Sequence, residues 1–366
     1  MALSANLDPA FWAGRRVLLT GHTGFKGSWL LLMLERLGAQ VTGLSLAPET
    51  EPALFDQIEG WRRCHHHVAD IRDQETVAAV MREARPEVVL HLAAQPLVRR
   101  SYADPIETFS TNVLGTAHVL EAVRALDCVR AVVSVTTDKC YANDGRVAGY
   151  REDDRLGGHD PYSNSKACAE LVSQSYRDSF LAAAGIGLAT ARAGNVIGGG
   201  DHSADRLVVD VVKAFLASQT PEIRNPQATR PWQHVLEPLT GYCLLAERLF
   251  AVPDRFASGW NFGPEQAETA PVSRVVELLA RHWGVAADFA AQPGNHPHEA
   301  ATLSLDSAKA HDQLGWQPRL TLEQAVDMTA DWYRLVDAHA DPAVVAIEQI
   351  ERYASLGEAQ AQQAAA

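Results

Sequence analysis

The chain has 366 residues, 47% of them hydrophobic and 21% charged, the composition of an ordinary globular protein large enough for an α/β domain and a smaller lobe. Its 32 basic and 45 acidic side chains give a formal charge of −13, which argues against a nucleic-acid or anionic-membrane surface but leaves room for a phosphorylated ligand held by a few local cations. The most apolar stretch, 29–46, is broken by Glu35, Arg36 and Gln40, the N-terminus lacks a signal-peptide pattern, and the 5 scattered cysteines without a C-x-x-C suggest reduced thiols in a cytoplasm.

In chain order, 17–20 is a short β-type run followed at once by glycines, 28–37 reads as a helix stopped by Gly38, and 41–46 as a second strand. The rhythm repeats: a strand at 87–92, a helix at 112–126, an almost continuously apolar strand at 129–136, a long helix at 161–184 with Pro161 in its first turn, and a strand at 186–191. This alternation predicts an α/β fold, a Rossmann-type doubly wound parallel sheet with ligands at the C-terminal ends of its strands. After Arg192 the pattern loosens, with Gly198, Gly199 and Gly200 and then Pro221, Pro226, Pro231 and Pro238. The expected organisation is a cofactor domain over 12–193, with 232–262 returning to it, and a substrate lobe over 194–231 and 263–345 that contains amphipathic helices at 272–283 and 322–335. Residues 355–366, rich in Ala, Gln and Glu, read as a frayed tail.

The chemistry concentrates in a few motifs. Thr20-Gly21-His22-Thr23-Gly24-Phe25-Lys26-Gly27 follows the first strand and opens a helix. Gly21 allows a tight turn, Gly24 lets backbone approach a pyrophosphate, Gly27 lets the helix pack close, and the helix N-terminus faces the phosphates. Thr23, Phe25 and Lys26 are assigned to the same cofactor loop, with His22 and Lys26 adding positive charge beside it. The second strand ends Gly43-Leu44-Ser45-Leu46, with no carboxylate for a ribose 2′-OH and only Ser45 as a weaker partner; no Lys or Arg lies between Gln40 and Gly60 to hold a 2′-phosphate, so NAD is favoured over NADP. Asp70 and Ile71, after the third strand, are expected at the adenine edge, and Leu92, Ala93 and Ala94, after the fourth, along the cofactor.

Downstream, Tyr162-Ser163-Asn164-Ser165-Lys166 puts a phenol and an ammonium one helical turn apart, so that the ammonium lowers the phenol pKa and Tyr162 can exchange a proton with a substrate hydroxyl. The run Cys64-His65-His66-His67 does not suggest a metal site, because adjacent strand residues alternate faces; His296 and His298 are the nearest thing to a second cluster.

The glycine loop, the Tyr162/Lys166 pair, Asn112 in Thr111-Asn112-Val113 and Arg192-Ala193-Gly194-Asn195-Val196 resemble the extended short-chain dehydrogenase/reductase family of nucleotide-sugar epimerases, dehydratases and reductases, over nearly the whole chain. The strand end Thr136-Thr137-Asp138-Lys139, with Gly158-His159-Asp160-Pro161 and Arg230-Pro231-Trp232-Gln233-His234, resembles the family's 4,6-dehydratases that act on CDP-glucose. The resemblance implies a CDP-sugar substrate, NAD as cofactor and a homodimer built on the helices at 112–126 and 161–184. The reaction oxidises C4 to make H5 acidic, removes H5, expels O6 as water and returns the hydride to C6. That chemistry needs two proton-transfer groups besides the tyrosine. Asp138, with its pKa raised by burial, is the expected acid, and Thr137 would bond O4. Lys139 is the expected base, with enolate stabilisation or proton donation as alternatives. Arg192 and Arg230 are expected on the diphosphate, Asn195 on the substrate, Arg224 and Trp232 in the nucleotide pocket, and Gln95 and Arg99 toward the sugar. The remaining alternatives are a 4,6-dehydratase, epimerase or reductase for another nucleotide sugar, or a non-catalytic cofactor sensor on the same fold.

Overall fold

The computed structural model describes residues 7–265, 268–291 and 302–364. Its centre is a seven-stranded sheet of β1 (Arg16–Thr20), β2 (Gln40–Ser45), β3 (His65–Val68), β4 (Val88–His91), β5 (Ala131–Val135), β6 (Gly187–Ala193) and β7 (Gly259–Phe262), in the order β3-β2-β1-β4-β5-β6-β7. Every pairing is parallel. The strand order reverses between β1 and β4, where the crevice of a doubly wound sheet opens. β4, β5 and β6 are buried at every residue, because side chains of alternating direction enter two different cores. Val17, Leu19, Leu90 and Val133 join one face with Trp29 and Leu239, while Leu18, Val89, Val132 and Leu188 join the other with Met81 and Val119.

The helix Phe25–Arg36 follows β1, and Leu236–Ala251 packs against β5 and β6 on the same side. Leu236–Ala251 leads through a short turn to β7, so the chain re-enters the sheet after its excursion. Outside the sheet, before and after β7, stand short ladders, Val196–Ile197 with Gln233–His234 and Thr229–Arg230 with Ala270–Pro271, and the helices Leu207–Leu216, Val272–Trp283 and Leu322–Asp337. Thr321 and Gln324 form a reciprocal capping box that starts the last of these. The expected helix at 161–184 is Pro161–Tyr176 followed by a wider turn, Arg177–Leu181.

The C-terminal segment departs from expectation. A helix spans Pro342–Ala364, continuing through the stretch read as a frayed tail, since Ala and Gln are strong helix formers. It is pinned by Tyr353, whose hydroxyl donates to buried Glu237 Oε2 at 2.6 Å, while the Arg319 and Leu320 amides donate to Glu237 Oε1 at 2.8 Å each.

Candidate active site

The turn after β1 is sterically tight. Gly21 has φ +75°, and a Cβ there would lie 2.7 Å from the Ala93 nitrogen; a Cβ on Gly27 would lie 2.1 Å from the Gly21 carbonyl oxygen. Gly24 caps the Phe25–Arg36 helix with no side-chain hydrogen bond, which leaves first-turn amides for an anion. Thr20 Oγ1 accepts from the Leu92 and Ala93 amides at 3.1 Å and meets His91 Nδ1 at 2.7 Å, strapping Leu92–Ala94 to the loop. Thr23 donates to the Leu46 carbonyl at 2.9 Å and lies 2.7 Å from Ser45 Oγ. The Asp70 side chain accepts from the Arg72 guanidinium and amide, and Arg72 holds it below the usual carboxylate range. Gly21, Thr23–Gly27, Ser45, Asp70, Ile71 and Leu92–Ala94 all line one cleft of about 1290 Å³.

His22 adds no charge beside this loop, and Lys26 carries its amine away from it. His22 is fully buried, its Nε2 2.6 Å from His66 Nδ1, and burial pushes its pKa down to about 3, leaving it neutral. Lys26 turns the other way, Nζ 3.4 Å from the Tyr242 hydroxyl; burial, then Arg206 and Lys166, hold it down at about 7 against the pull of Asp138.

The reaction chamber is built where β5 ends. Thr137 Oγ1 donates to Asp138 Oδ1 at 3.0 Å and accepts from the Lys139 amide at 3.3 Å, fixing the turn. Tyr162 sits in the first turn of Pro161–Tyr176, whose cap Asp160 accepts from the Ser163 amide at 2.9 Å, and Thr137 draws its phenol pKa down. Asp138 Oδ2 is buried with no hydrogen-bond partner among the described residues. Burial raises the Asp138 pKa against Lys139 and Thr137, and burial lowers that of Lys139 against Asp138. The phenol of Tyr162 differs from expectation. Lys166 donates to the Val135 carbonyl at 3.0 Å, and burial pushes Tyr162 up to about 12 although Thr137 and Arg206 pull it down. Burial also holds Lys166 down at about 8.

On the substrate side, Arg99, Asn195, Arg224, Arg230 and Trp232 line the same cleft. Two expectations fail. Arg192 faces away from the cleft: its guanidinium bonds both Glu170 oxygens, at 2.9 and 2.8 Å, and Tyr141 at 2.7 Å, with side chains only 5% and 3% exposed. Strand alternation explains it, since Thr190 and Arg192 share one face of β6 and both reach Glu170. Gln95 lines the cleft, but its carboxamide is engaged with the Leu97 backbone and Thr108 Oγ1, and Asn112 bonds its backbone, so it braces the loop instead of presenting donors to a sugar.

Residues 18–329 match the family described as GDP-mannose 4,6 dehydratase. The chain belongs to this family. It is 48% identical over 354 residues to a CDP-glucose 4,6-dehydratase of Salmonella typhimurium, covering 95% of this chain and 99% of that one. It is 28% identical over 333 residues to a dTDP-glucose 4,6-dehydratase of Xanthomonas campestris, covering 86% and 92%. Among solved structures, the dTDP-glucose 4,6-dehydratase DesIV of Streptomyces venezuelae, with NAD bound, superposes with a TM-score of 0.76 at 24% identity, covering 90% of this chain and 99% of that one.

Two residues of this 4,6-dehydratase site carry no short-range signal in the sequence. Arg206 lines the cleft and acts on Lys26, Lys139 and Tyr162, yet it follows an irregular loop with no motif around it. Tyr242 reaches Lys26 from a helix 216 residues later. Within the run Cys64-His65-His66-His67, His66 pairs with His22; among the described residues no group of three metal-capable side chains converges, and His296 and His298 lie outside the described residues.

Proposed function

We propose that the protein is an NAD-dependent hydro-lyase, a CDP-glucose 4,6-dehydratase that makes CDP-4-dehydro-6-deoxyglucose. The observation that carries this reading is the pair Asp138 and Lys139, adjacent at the end of β5 and beside Tyr162, with one pKa raised and the other lowered by the same burial. Near-complete coverage of a 48% identical CDP-glucose 4,6-dehydratase supports the substrate. The glycine turn, with no room for a Cβ at Gly21 or Gly27 and free amides at the helix start, fits a dinucleotide pyrophosphate, and a second strand that ends at Ser45 with no Lys or Arg between Gln40 and Gly60 fits NAD.

When bound, NAD supplies reversible storage of the hydride taken from C4 and returned to C6. The chain's residues move the protons. Tyr162 takes the O4 proton as tyrosinate, a form that burial disfavours and that Thr137, Arg206 and the positive charge of bound NAD would favour, and Thr137 would bond O4. Lys139, whose pKa desolvation lowers, removes H5 from the resulting 4-ketone. Asp138, whose pKa desolvation raises, gives its proton to departing O6. Arg230, Arg224 and Asn195 are the polar groups offered to the nucleotide diphosphate, and Trp232 an apolar wall.

The exposed apolar side chains Ile106, Leu114, Leu171 and Phe180 lie on or beside the helices expected to pair, which supports a homodimer; light scattering on the eluting protein tests it. Among the described residues no helix is long and apolar enough to cross a membrane, and five unpaired cysteines fit a reducing cytoplasm. The test of function is mass spectrometry of the product from CDP-, UDP-, dTDP- and GDP-hexoses incubated with protein and NAD, without added reductant. Loss of one water from CDP-glucose alone is expected; water loss from a different nucleotide sugar removes the cytosine assignment, and no mass change with any removes the dehydratase.

A further inference from the structure

The mouth of the cleft carries a carboxylate, Asp205, to which the proposed reaction gives no role. Arg99, from the helix Val98–Ala103 after β4, reaches Asp205 with an Nη1–Oδ1 distance of 3.0 Å. Arg224, which follows the lobe strand Glu222–Ile223, reaches the same Oδ1 at 3.4 Å. All three residues line the cleft, so one carboxylate oxygen ties the sheet side of the mouth to the lobe. Asp205 has φ +60°, the left-handed region that Asp and Asn occupy more readily than other side chains. Its loop is anchored upstream, where the Tyr333 hydroxyl donates to the Asp201 carbonyl and Asp201 Oδ1 accepts from the Ser203 amide at 3.0 Å. The backbone therefore presents the carboxylate from a fixed base.

We propose that Asp205 is a built-in counter-anion: it occupies Arg99 and Arg224 until the diphosphate of an incoming nucleotide sugar displaces it, and it reclaims them when product leaves. The inference rests on the reading that this cleft binds a nucleotide sugar. A guanidinium offers paired donors that suit phosphate oxygens at least as well as a carboxylate, and a diphosphate brings more charge than one Asp. The resident pairs are weak enough to exchange, since Arg99 and Asp205 are 36% and 39% exposed and pairs of that kind contribute little. Holding the arginines in reserve keeps two like charges from repelling across the open mouth and keeps stray monoanions from settling there.

The test is the dissociation constant of CDP, UDP and inorganic pyrophosphate for the wild type and Asp205→Asn, measured by titration calorimetry. Asn keeps the size and tolerates the left-handed backbone while removing the charge. The clasp predicts that all three ligands bind about three- to tenfold more tightly to the variant, because they share the group that competes with Asp205. Asp205→Gly, which has no difficulty with φ +60°, should tighten binding likewise and controls for local folding. Unchanged or weaker binding in both variants overturns the clasp. Tighter binding of all three with no preference for CDP over UDP upholds the clasp and counts against the cytosine reading instead.

Discussion

Replacing Arg192 separates a structural role from a ligand role. Its guanidinium makes two bonds to Glu170, one to the Tyr141 hydroxyl and one to the Glu152 carbonyl at 3.1 Å. Glu170 accepts further from Thr136 and Thr190, and Tyr141 donates to Asn261 Oδ1 at 2.7 Å, so the network joins β6, the end of β5, the Tyr162 helix and β7. Burial pushes the Glu170 carboxyl up, but Arg192 and the two hydroxyls more than offset that and hold it low, so it stays charged. Arg192→Met leaves that charge buried with only neutral donors. Removing one partner of a buried pair costs about 3–5 kcal/mol, a large share of the roughly 5–15 kcal/mol that stabilises a typical domain. The two threonine hydroxyls put the expected loss near the lower figure, about 3 kcal/mol. Glu170→Gln/Arg192→Met should recover part of it, because neither charge then remains. Urea unfolding followed by tryptophan fluorescence gives the stabilities, and titration with CDP gives the affinity of the folded fraction. A variant as stable as wild type that binds CDP tenfold more weakly would refute the assignment and return Arg192 to the substrate.

Three other perturbations have defined outcomes. Tyr162→Phe should lower turnover by at least about a hundredfold by removing the proton acceptor for O4, whereas Lys139→Ala should still give the 4-ketohexose by mass while blocking water loss; full dehydration by Lys139→Ala would exclude it as the base. Gly27→Ala should cost about 3 kcal/mol, the upper range for overpacking, since the methyl meets the Gly21 backbone at 2.1 Å, while Gly24→Ala, whose nearest contact is 3.5 Å, should cost under about 1 kcal/mol; equal melting temperatures for the two would contradict the packing. Glu247 accepts from the Trp12 indole at 2.7 Å and the Asp8 amide at 3.0 Å, and burial raises its pKa to about 7. The folded state therefore holds this proton more tightly than the unfolded chain: the stabilisation is complete below the ordinary carboxyl pKa and is lost as pH rises through about 7. Glu247→Gln should gain in melting temperature relative to wild type between pH 5 and 8, and parallel curves would sink the argument.

The sheet was legible because its signals are local. Val88 to Leu90 and Ala131 to Val133 are apolar on both faces, Gly38 and Pro161 punctuate helices, and the glycines of the first turn stand where backbone must approach backbone. Arg192 was misread because a motif gives the residue type and not the face it points to. Its partner Glu170 lies 22 residues earlier on a helix, and only the pairing of β5 with β6 brings the two together. Lys26 belongs to a cofactor loop by position, but Tyr242 and Asp138, supplied by distant elements, draw its ammonium into the reaction chamber. Contacts of this range have no periodicity to detect.

The same distinction bears on the proton-transfer pair. Asp138 next to Lys139 in a sequence ordinarily means a solvated turn in which each charge steadies the other. Mutual attraction lowers the acid and raises the amine, the opposite of what dehydration requires. Desolvation is the effect that moves a carboxyl up and an ammonium down together. In this chain the two effects oppose each other at both residues, and burial wins at both. The dipeptide is therefore pushed toward an acid and a base by its burial and not by its own attraction. Tyr242, buried near Asp138 and Tyr162 and contributed by the returning segment, is part of that burial. Proton chemistry at β5 thus depends on the part of the chain that leaves the sheet and comes back, and a substitution there that admits water would turn Asp138 and Lys139 back into an ion pair without touching either.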